Sequence, residues 1–273
     1  MRRTCLITGA NGVIGQKLAR WLLGGTVNAA GARCEWHVKL LDDYDGFCEG
    51  ERRDPSNSEV WEGFPDQLTG TFEHVSSSLR SYEETWASNF EGVDAVIHFQ
   101  ACNPYPECNW LESQISMDMT ANAIAAAQAN GVDRFIFASS NHVMGNYWRE
   151  GPTLSQAPAI TPSTPPNTGR RFEVPAMKCD ATAYATAKLA GEVMCRTGAA
   201  AEQFTSVAVR IGWCQPGRNE PDMMSPAGTP TVTDDGSGDT ALYSGRALGW
   251  DDEKALLAWF QVSGSSQCLL TAE

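Results

Sequence analysis

Three glycines within eight residues constrain this chain more than any other feature. Residues 8–15 read Thr8-Gly9-Ala10-Asn11-Gly12-Val13-Ile14-Gly15, directly after the short strand-like run at 4–8 and directly before a helical pattern at 13–23. In a strand–turn–helix unit each glycine has its own task. One allows the tight turn, one lets the backbone approach a pyrophosphate, and one lets helix and strand pack closely. The helix N-terminus then offers N–H groups and the positive end of its dipole to the phosphates. That context lifts the motif above a ligand-free glycine turn.

The rest of the pattern is of the same kind. Short β-branched or aromatic runs at 37–41, 71–75, 94–99, 134–138 and 206–211 alternate with helical stretches at 112–130, 182–202 and 251–261. Several of the runs are apolar on both faces, as strands between two helix layers must be. Asn130-Gly131 closes the 112–130 helix as a C-cap. The alternation predicts an α/β chain with a doubly wound, mostly parallel sheet. Three stretches interrupt it: 44–70, polar and punctuated by Gly and Pro; 151–175, with six prolines; and 214–249, rich in Pro, Gly, Asp and Thr. The second cannot be a regular helix and is expected as a long ordered loop or flap.

Composition narrows the partners. Of 273 residues, 42% are apolar and 19% charged, which is globular rather than disordered. A net charge of −13 argues against nucleic acid or an anionic membrane as partner. No apolar run reaches the ~18 residues of a membrane helix, and the apolar start after Arg2-Arg3 is too short for a signal peptide. Nine cysteines are scattered without a Cys-x-x-Cys pair. This suggests a reducing compartment, with cytoplasmic location expected and most thiols buried as small apolar residues. The four histidines, at 37, 74, 98 and 142, lack ligand-like spacing, so no metal is expected.

Three further constellations bear on chemistry. The run at 37–41 ends Leu41-Asp42-Asp43. A carboxylate at that strand tip accepts the adenosine ribose hydroxyls and repels a 2′-phosphate, which favours NAD; Asp42 is preferred over Asp43. It lies 27 residues after Gly15, and the extra length fits a loop around 26–36. Tyr184 and Lys188 are four apart on a helix and face the same side. A nearby ammonium lowers the phenol's pKa from ~10, which would let Tyr184 act as general base while a nicotinamide takes hydride. Ser139-Ser140 ends the run at 134–138, where such a sheet presents its ligands. A serine there can hold the substrate oxygen or simply cap the next turn.

The strings Thr8-Gly9-x-x-Gly12-x-x-Gly15, Val96-Ile97-His98-Phe99-Gln100-Ala101, Phe137-Ala138-Ser139-Ser140 and Tyr184-x-x-x-Lys188 together resemble the extended short-chain dehydrogenase/reductases, the NAD-dependent epimerase/dehydratase superfamily. The resemblance covers about residues 1–215. It implies a Rossmann fold and a catalytic set of Ser140, Tyr184 and Lys188, with Gly145 following Ser140 by five. It also implies NAD contacts from Gly9, Asn11, Gly12, Val13, Ile14, Gly15, Asp42, Gln100, Ala101, Ser139, Tyr184 and Lys188. Ser78-Leu79 stands where the family has an Asp-Leu pair at the adenine, so the backbone there would have to serve. Dimerisation through the Tyr184 helix and its neighbour is implied as well.

Within that superfamily, Ser139-Ser140-Asn141-His142, then Val209-Arg210-Ile211-Gly212-x-Cys214 and Trp250-x-Asp252, are similar to uronate dehydrogenases, which oxidise the C1 hydroxyl of a hexuronic acid to a lactone with NAD. The resemblance implies that Asn103, Ser140, Asn141 and His142 hold a carbohydrate. His142 as a structural histidine bonding a backbone carbonyl is an equal reading. Three departures stand out. The 44-residue gap from Ser140 to Tyr184 is long, with the Pro-rich stretch as its excess. Trp213 replaces a serine, where an indole would fill sugar space or stack on a sugar face. Asp222 precedes Met223-Met224 where those enzymes place a carboxylate-clamping arginine, leaving Arg218 to substitute. The expected organisation is a Rossmann domain at 1–215, with insertions 44–70 and 151–175, and a small C-terminal substrate-binding part at 216–273. The alternatives are a nucleotide-sugar epimerase or dehydratase, and a non-catalytic dinucleotide-binding protein.

Overall fold

The computed structural model describes residues 2–27, 33–43, 68–102, 109–149, 164–169, 171–174 and 177–211. In chain order the elements are β1 (Arg2–Thr8), α1 (Val13–Leu23), β2 (Thr26–Val27), β3 (Arg33–Asp42), β4 (Thr71–Ser76), α2 (Glu84–Ala87), β5 (Ala95–His98), α3 (Trp110–Ala129), β6 (Arg134–Ser140), β7 (Arg171–Val174), β8 (Met177–Asp180), α4 (Thr182–Ala200) and β9 (Thr205–Ile211). Single 3₁₀ stretches follow α2 (Ser88–Phe90) and β6 (Asn141–Arg149).

The main sheet runs β4-β3-β1-β5-β6-β9, with the two-residue β2 antiparallel to the start of β3. Counting those six strands in chain order gives 3-2-1-4-5-6, the doubly wound Rossmann order. The order reverses at β1, which pairs in parallel with β3 on one side and β5 on the other. Ligands of such sheets bind at that reversal, beyond the strands' carboxyl ends. Thr8 ends β1, opposite Leu41 in β3 and His98 in β5, so the glycine turn emerges there.

The described residues divide into two compact units. The first holds 2–27, 33–43, 68–102, 115–137 and 191–207; the second holds 109–114, 138–149, 164–169, 171–174, 177–190 and 208–211. In the first, Cys5, Ile7, Ala19, Leu22, Leu23, Val38, Leu40 and Ile97 close one side of the sheet against α1. β5 is buried along its whole length, as an apolar run between two layers must be. In the second, β7 and β8 form an antiparallel hairpin just before α4.

Two expectations change. Of the loop placed around 26–36, residues 26–27 and 33–36 instead belong to β2 and β3, while 28–32 lie outside the described residues; Trp36 is fixed by its indole N–H to Thr26 Oγ1, 2.9 Å. The Pro-rich stretch ends in strand β7, because the hairpin pairs Arg171–Val174 with residues its own periodicity could not identify. The helix at 251–261, the boundary at 215 and nearly all of 44–70 lie outside the described residues.

Candidate active site

The turn from β1 to α1 is made of backbone. Gly9 sits at φ +69°, and a Cβ there would lie 2.6 Å from the Gln100 nitrogen, so conformation and space both exclude a side chain. A Cβ on Gly15 would meet the Gly9 carbonyl oxygen at 2.4 Å. Gly12 differs: its φ of −67° is ordinary, and a Cβ would meet only the Gly9 oxygen, at 3.3 Å. A side chain there would press on that oxygen without being excluded by conformation, and its absence leaves the approach to the helix start open. No side chain caps α1, so the N–H groups of Val13, Ile14 and Gly15 present the anion-binding end of the helix. Gln16 Nε2 donates to the Asn11 carbonyl at 2.7 Å and steadies the turn.

Asp42 comes to this turn across the sheet. Its Oδ2 accepts the Asn11 N–H at 2.6 Å and its Oδ1 the Asp43 N–H at 2.8 Å. Burial pushes the Asp42 carboxyl above its ordinary range, the two backbone donors pull it back, and the Asp43 charge adds to the rise. Asp43 itself is exposed. Beyond β4, Leu79 gives its N–H to Gln100 Oε1 at 3.2 Å and its carbonyl accepts Asn122 Nδ2 at 2.8 Å. The Leu79 backbone is thus engaged within the protein. Among the described residues, Asn11 Nδ2 and Ser78 Oγ are buried side-chain atoms with no hydrogen-bond partner. Buried polar atoms are normally paired, so these two fit a ligand that completes them. The open glycine, the helix start and the Asp42 carboxylate fit the pyrophosphate and ribose of a dinucleotide.

A buried chain of hydrogen bonds fixes the end of β1. Gln100 N–H donates to Thr8 Oγ1 at 3.3 Å, and Thr8 Oγ1 lies 2.7 Å from His98 Nδ1. His98 Nε2 lies 3.2 Å from Thr120 Oγ1, which itself donates to the Ser116 carbonyl at 2.9 Å. Thr120 must therefore accept, which assigns the proton to His98 Nε2 and leaves Nδ1 to accept from Thr8. His98 stacks on Phe137 with centroids 6.1 Å apart. The sequence gives no spacing signal for this chain, whose members lie up to 112 residues apart only in number.

The second unit is built from side chains. Lys188, 7% exposed, donates to the Ala138 carbonyl at 2.7 Å, and its Nζ lies 5.8 Å from the centre of the Tyr184 ring. Burial brings the Lys188 pKa down to about 8. Tyr184 is half-buried, and the His142 ring meets it edge-on at 5.9 Å. Ser140 is buried; its hydroxyl donates to Asn141 Oδ1 at 3.3 Å and accepts the His142 N–H at 3.2 Å. Ser139 is buried beside it and Asn141 is nearly so.

The tail of the Pro-rich stretch is laced to this 3₁₀ segment. Gly169 N–H donates to the His142 carbonyl and Asn167 N–H to that of Val143, both at 3.1 Å. Asn146 Nδ2 donates to the Thr168 carbonyl at 2.6 Å, and Tyr147 Oη to that of Pro165 at 2.9 Å. These residues carry no motif that marks them in the sequence. Ala101 is half-buried after Gln100, while Asn103, Trp213, Arg218, Asp222 and residues 250–252 lie outside the described residues.

A family model described as the NAD dependent epimerase/dehydratase family matches residues 5–214. The chain belongs to this family. It is 30% identical over 215 residues to a "NAD-dependent glucose-6-phosphate dehydrogenase" of Haloferax volcanii, covering 78% of this chain and 69% of that one. Over 137 residues it is also 30% identical to an "L-arabinose 1-dehydrogenase (NAD(P)(+))" of the same organism, covering 48% of this chain and 49% of the relative. A solved structure, "Mutated Uronate Dehydrogenase", superposes with a TM-score of 0.55 at 22% identity, covering 82% of this chain and 63% of that one. The chain therefore spans only part of each. The family places NAD as its cofactor, and the turn, the helix start and Asp42 are the residues that would hold it.

Proposed function

We propose that this enzyme oxidises a hydroxyl of a sugar or sugar acid, with NAD as acceptor and Tyr184 as general base. The observation that carries the reading is Lys188: a buried ammonium against the Tyr184 ring, anchored to the strand end that leads into Ser140. That charge favours the phenolate. The Tyr184 oxygen takes the hydroxyl proton, and Ser140 holds the substrate oxygen in reach. NAD, when bound, would supply the hydride acceptor, so that the substrate carbon becomes a carbonyl or, at an anomeric position, a lactone. Asn141 and His142 hold the sugar, with Asn103, Trp213 and Arg218 completing the pocket and residues 216–273 forming a small substrate-binding part. The names of the relatives, a sugar phosphate, a pentose and a uronate, support a carbohydrate. A cytoplasmic homodimer completes the reading.

The test is NADH formation with galacturonate, glucuronate, their neutral parent sugars, glucose 6-phosphate and L-arabinose. Tyr184→Phe is expected to keep NAD binding and lose ~10²–10⁴-fold in turnover. Undiminished turnover would remove Tyr184 from its role. NAD that co-purifies and yields no net NADH would turn the assignment toward nucleotide-sugar epimerisation.

A further inference from the structure

We propose that Gly169 is a positioning residue that ties the segment carrying His142 to the first turn of the helix carrying Tyr184, and so sets how those two rings meet; the proposal rests on Tyr184 as the general base. The observation behind it is a closed circuit of contacts that the Pro-rich insertion completes.

The insertion returns to where it began. β7 and β8 pair in antiparallel register, with Arg171 opposite Asp180 at the open end of the hairpin. Gly169 precedes that pair by two residues and Thr182 follows it by two, so the hairpin delivers both to one place. They are packed together there. Gly169 is buried at φ +104°, and a Cβ on it would lie 2.9 Å from Thr182 Oγ1 and 3.4 Å from Thr182 Cα. Conformation and space both call for glycine. The Gly169 N–H meanwhile donates to the His142 carbonyl at 3.1 Å. One residue without a side chain thus touches both elements.

Each side of the link is held in turn. On the helix, Thr182 N–H donates to Asp180 Oδ1 at 3.0 Å and the Thr182 carbonyl accepts Thr186 Oγ1 at 2.8 Å, which fixes the turn that carries Tyr184. On the 3₁₀ segment, His142 N–H donates to the Ser140 hydroxyl at 3.2 Å, so with the Gly169 bond both main-chain polar groups of His142 are engaged. Asn167 N–H donates to the Val143 carbonyl and Asn146 N–H to the Asn167 carbonyl, both at 3.1 Å. The edge of His142 against the Tyr184 ring closes the circuit. One turn further along the helix, Lys188 is anchored on the Ala138 carbonyl. A push on the first turn of α4 therefore moves Tyr184 relative to Ser140 and His142 while the lysine stays in place.

The experiment is steady-state NADH formation by the full chain, with whichever of galacturonate, glucuronate, glucose 6-phosphate and L-arabinose wild type oxidises fastest, beside calorimetric titration with NAD. The variants are Gly169→Ala, Thr182→Ala, Gly169→Ala/Thr182→Ala and, as reference, Tyr184→Phe. Gly169→Ala is expected to lower kcat about ten- to hundredfold, the scale of a small misplacement of a reacting group, with KM moved less than kcat and NAD affinity within about twofold of wild type. Thr182→Ala alone should change kcat little. In the double variant the oxygen that the new methyl group meets is gone, so kcat should recover several-fold although the strained φ remains. Should Gly169→Ala fail to fold, Thr182→Val presses on the same contact from the helix side and is expected to lose kcat a few-fold, whereas Thr182→Ser, which keeps the hydroxyl, loses none. An unchanged kcat in Gly169→Ala or its stand-in, or a double variant no better than Gly169→Ala, would mark a merely structural role and overturn the proposal. Tyr184→Phe with undiminished turnover, or a wild type that oxidises none of these sugars, would instead overturn the general-base reading beneath it, and the proposal with it.

Discussion

The glycine turn and the Tyr184 set solve different problems by different means. The turn holds its shape through backbone: a positive φ at Gly9, two positions without room for a Cβ, and a helix start left uncapped. The Tyr184 set holds its shape through side chains: a buried lysine on a carbonyl, a histidine edge on the tyrosine ring, and asparagines that stitch a Pro-rich tail beneath the 3₁₀ segment. A backbone site tolerates no added atoms and needs few partners. A side-chain site tolerates substitution in shape but is exposed to every change of charge and hydrogen bonding.

The sharpest way to break the contrast is Gly9→Ala. The left-handed conformation and the clash with Gln100 together should cost about 3 kcal/mol or more and abolish NAD binding. Urea unfolding and titration with NAD measure both. A stable, NAD-binding Gly9→Ala would show that the turn is not rigid.

Lys188→Met comes next and tests the side-chain half through pH. Burial holds the Lys188 pKa at about 8, below its ordinary 10.5. Between those values the unfolded chain holds a proton that the folded one has released, so wild-type stability rises with pH across that window. Below about 8 both states are protonated and the full cost of burying the charge is present. Lys188→Met should therefore be stabilised most at neutral pH, offset in part by its lost bond to Ala138. Its advantage should shrink by ~1.4 kcal/mol per pH unit above about 8. Unfolding midpoints across pH 7–10 (roughly that interval) read this out, and a difference that stays flat with pH would contradict it. Turnover should fall with the charge gone.

Smaller effects separate the two halves. Asn146→Ala removes the bond to the Thr168 carbonyl and loosens the segment that carries His142. It should cost about 1–2 kcal/mol and raise the KM for substrate several-fold, with NAD affinity unchanged. Gly12→Ala is the mirror case. Its Cβ meets only the Gly9 oxygen, at 3.3 Å and at an ordinary φ, so the stability cost should be about 1 kcal/mol, well below that of Gly9→Ala. NAD affinity should nonetheless drop, because the methyl group stands in the approach to the helix start. Isothermal titration distinguishes the two variants directly.

Much of this was legible in the residues. The glycine spacing, the strand ending at Asp42 and the Tyr184/Lys188 pair each announce themselves locally, because a turn, a strand tip and one helix face are short-range objects. Of the two acids at the strand tip, it is Asp42, the one the sequence favours, whose carboxylate accepts the Asn11 N–H, while Asp43 is exposed. The hairpin of β7 and β8 was not legible, because a four-residue strand has too short a period to register and its partner lies beyond a turn. Asn146 and Asn167 were equally silent: an asparagine in a polar stretch looks the same whether solvated or stitched to a distant carbonyl.

Sequence by itself therefore determined the fold class, the glycine turn and the placing of Tyr184 and Lys188 on one helix face, because all of them rest on neighbours in the chain. Tertiary structure alone decided what each of those residues leans on. Gln100 reads as one polar residue in an apolar motif until β1 and the turn after β4 bring Thr8 and Leu79 to it. His98 reads as a lone histidine until two threonines fix its tautomer. Hydrogen-bond partners across a sheet depend on register and strand order, which no local pattern encodes.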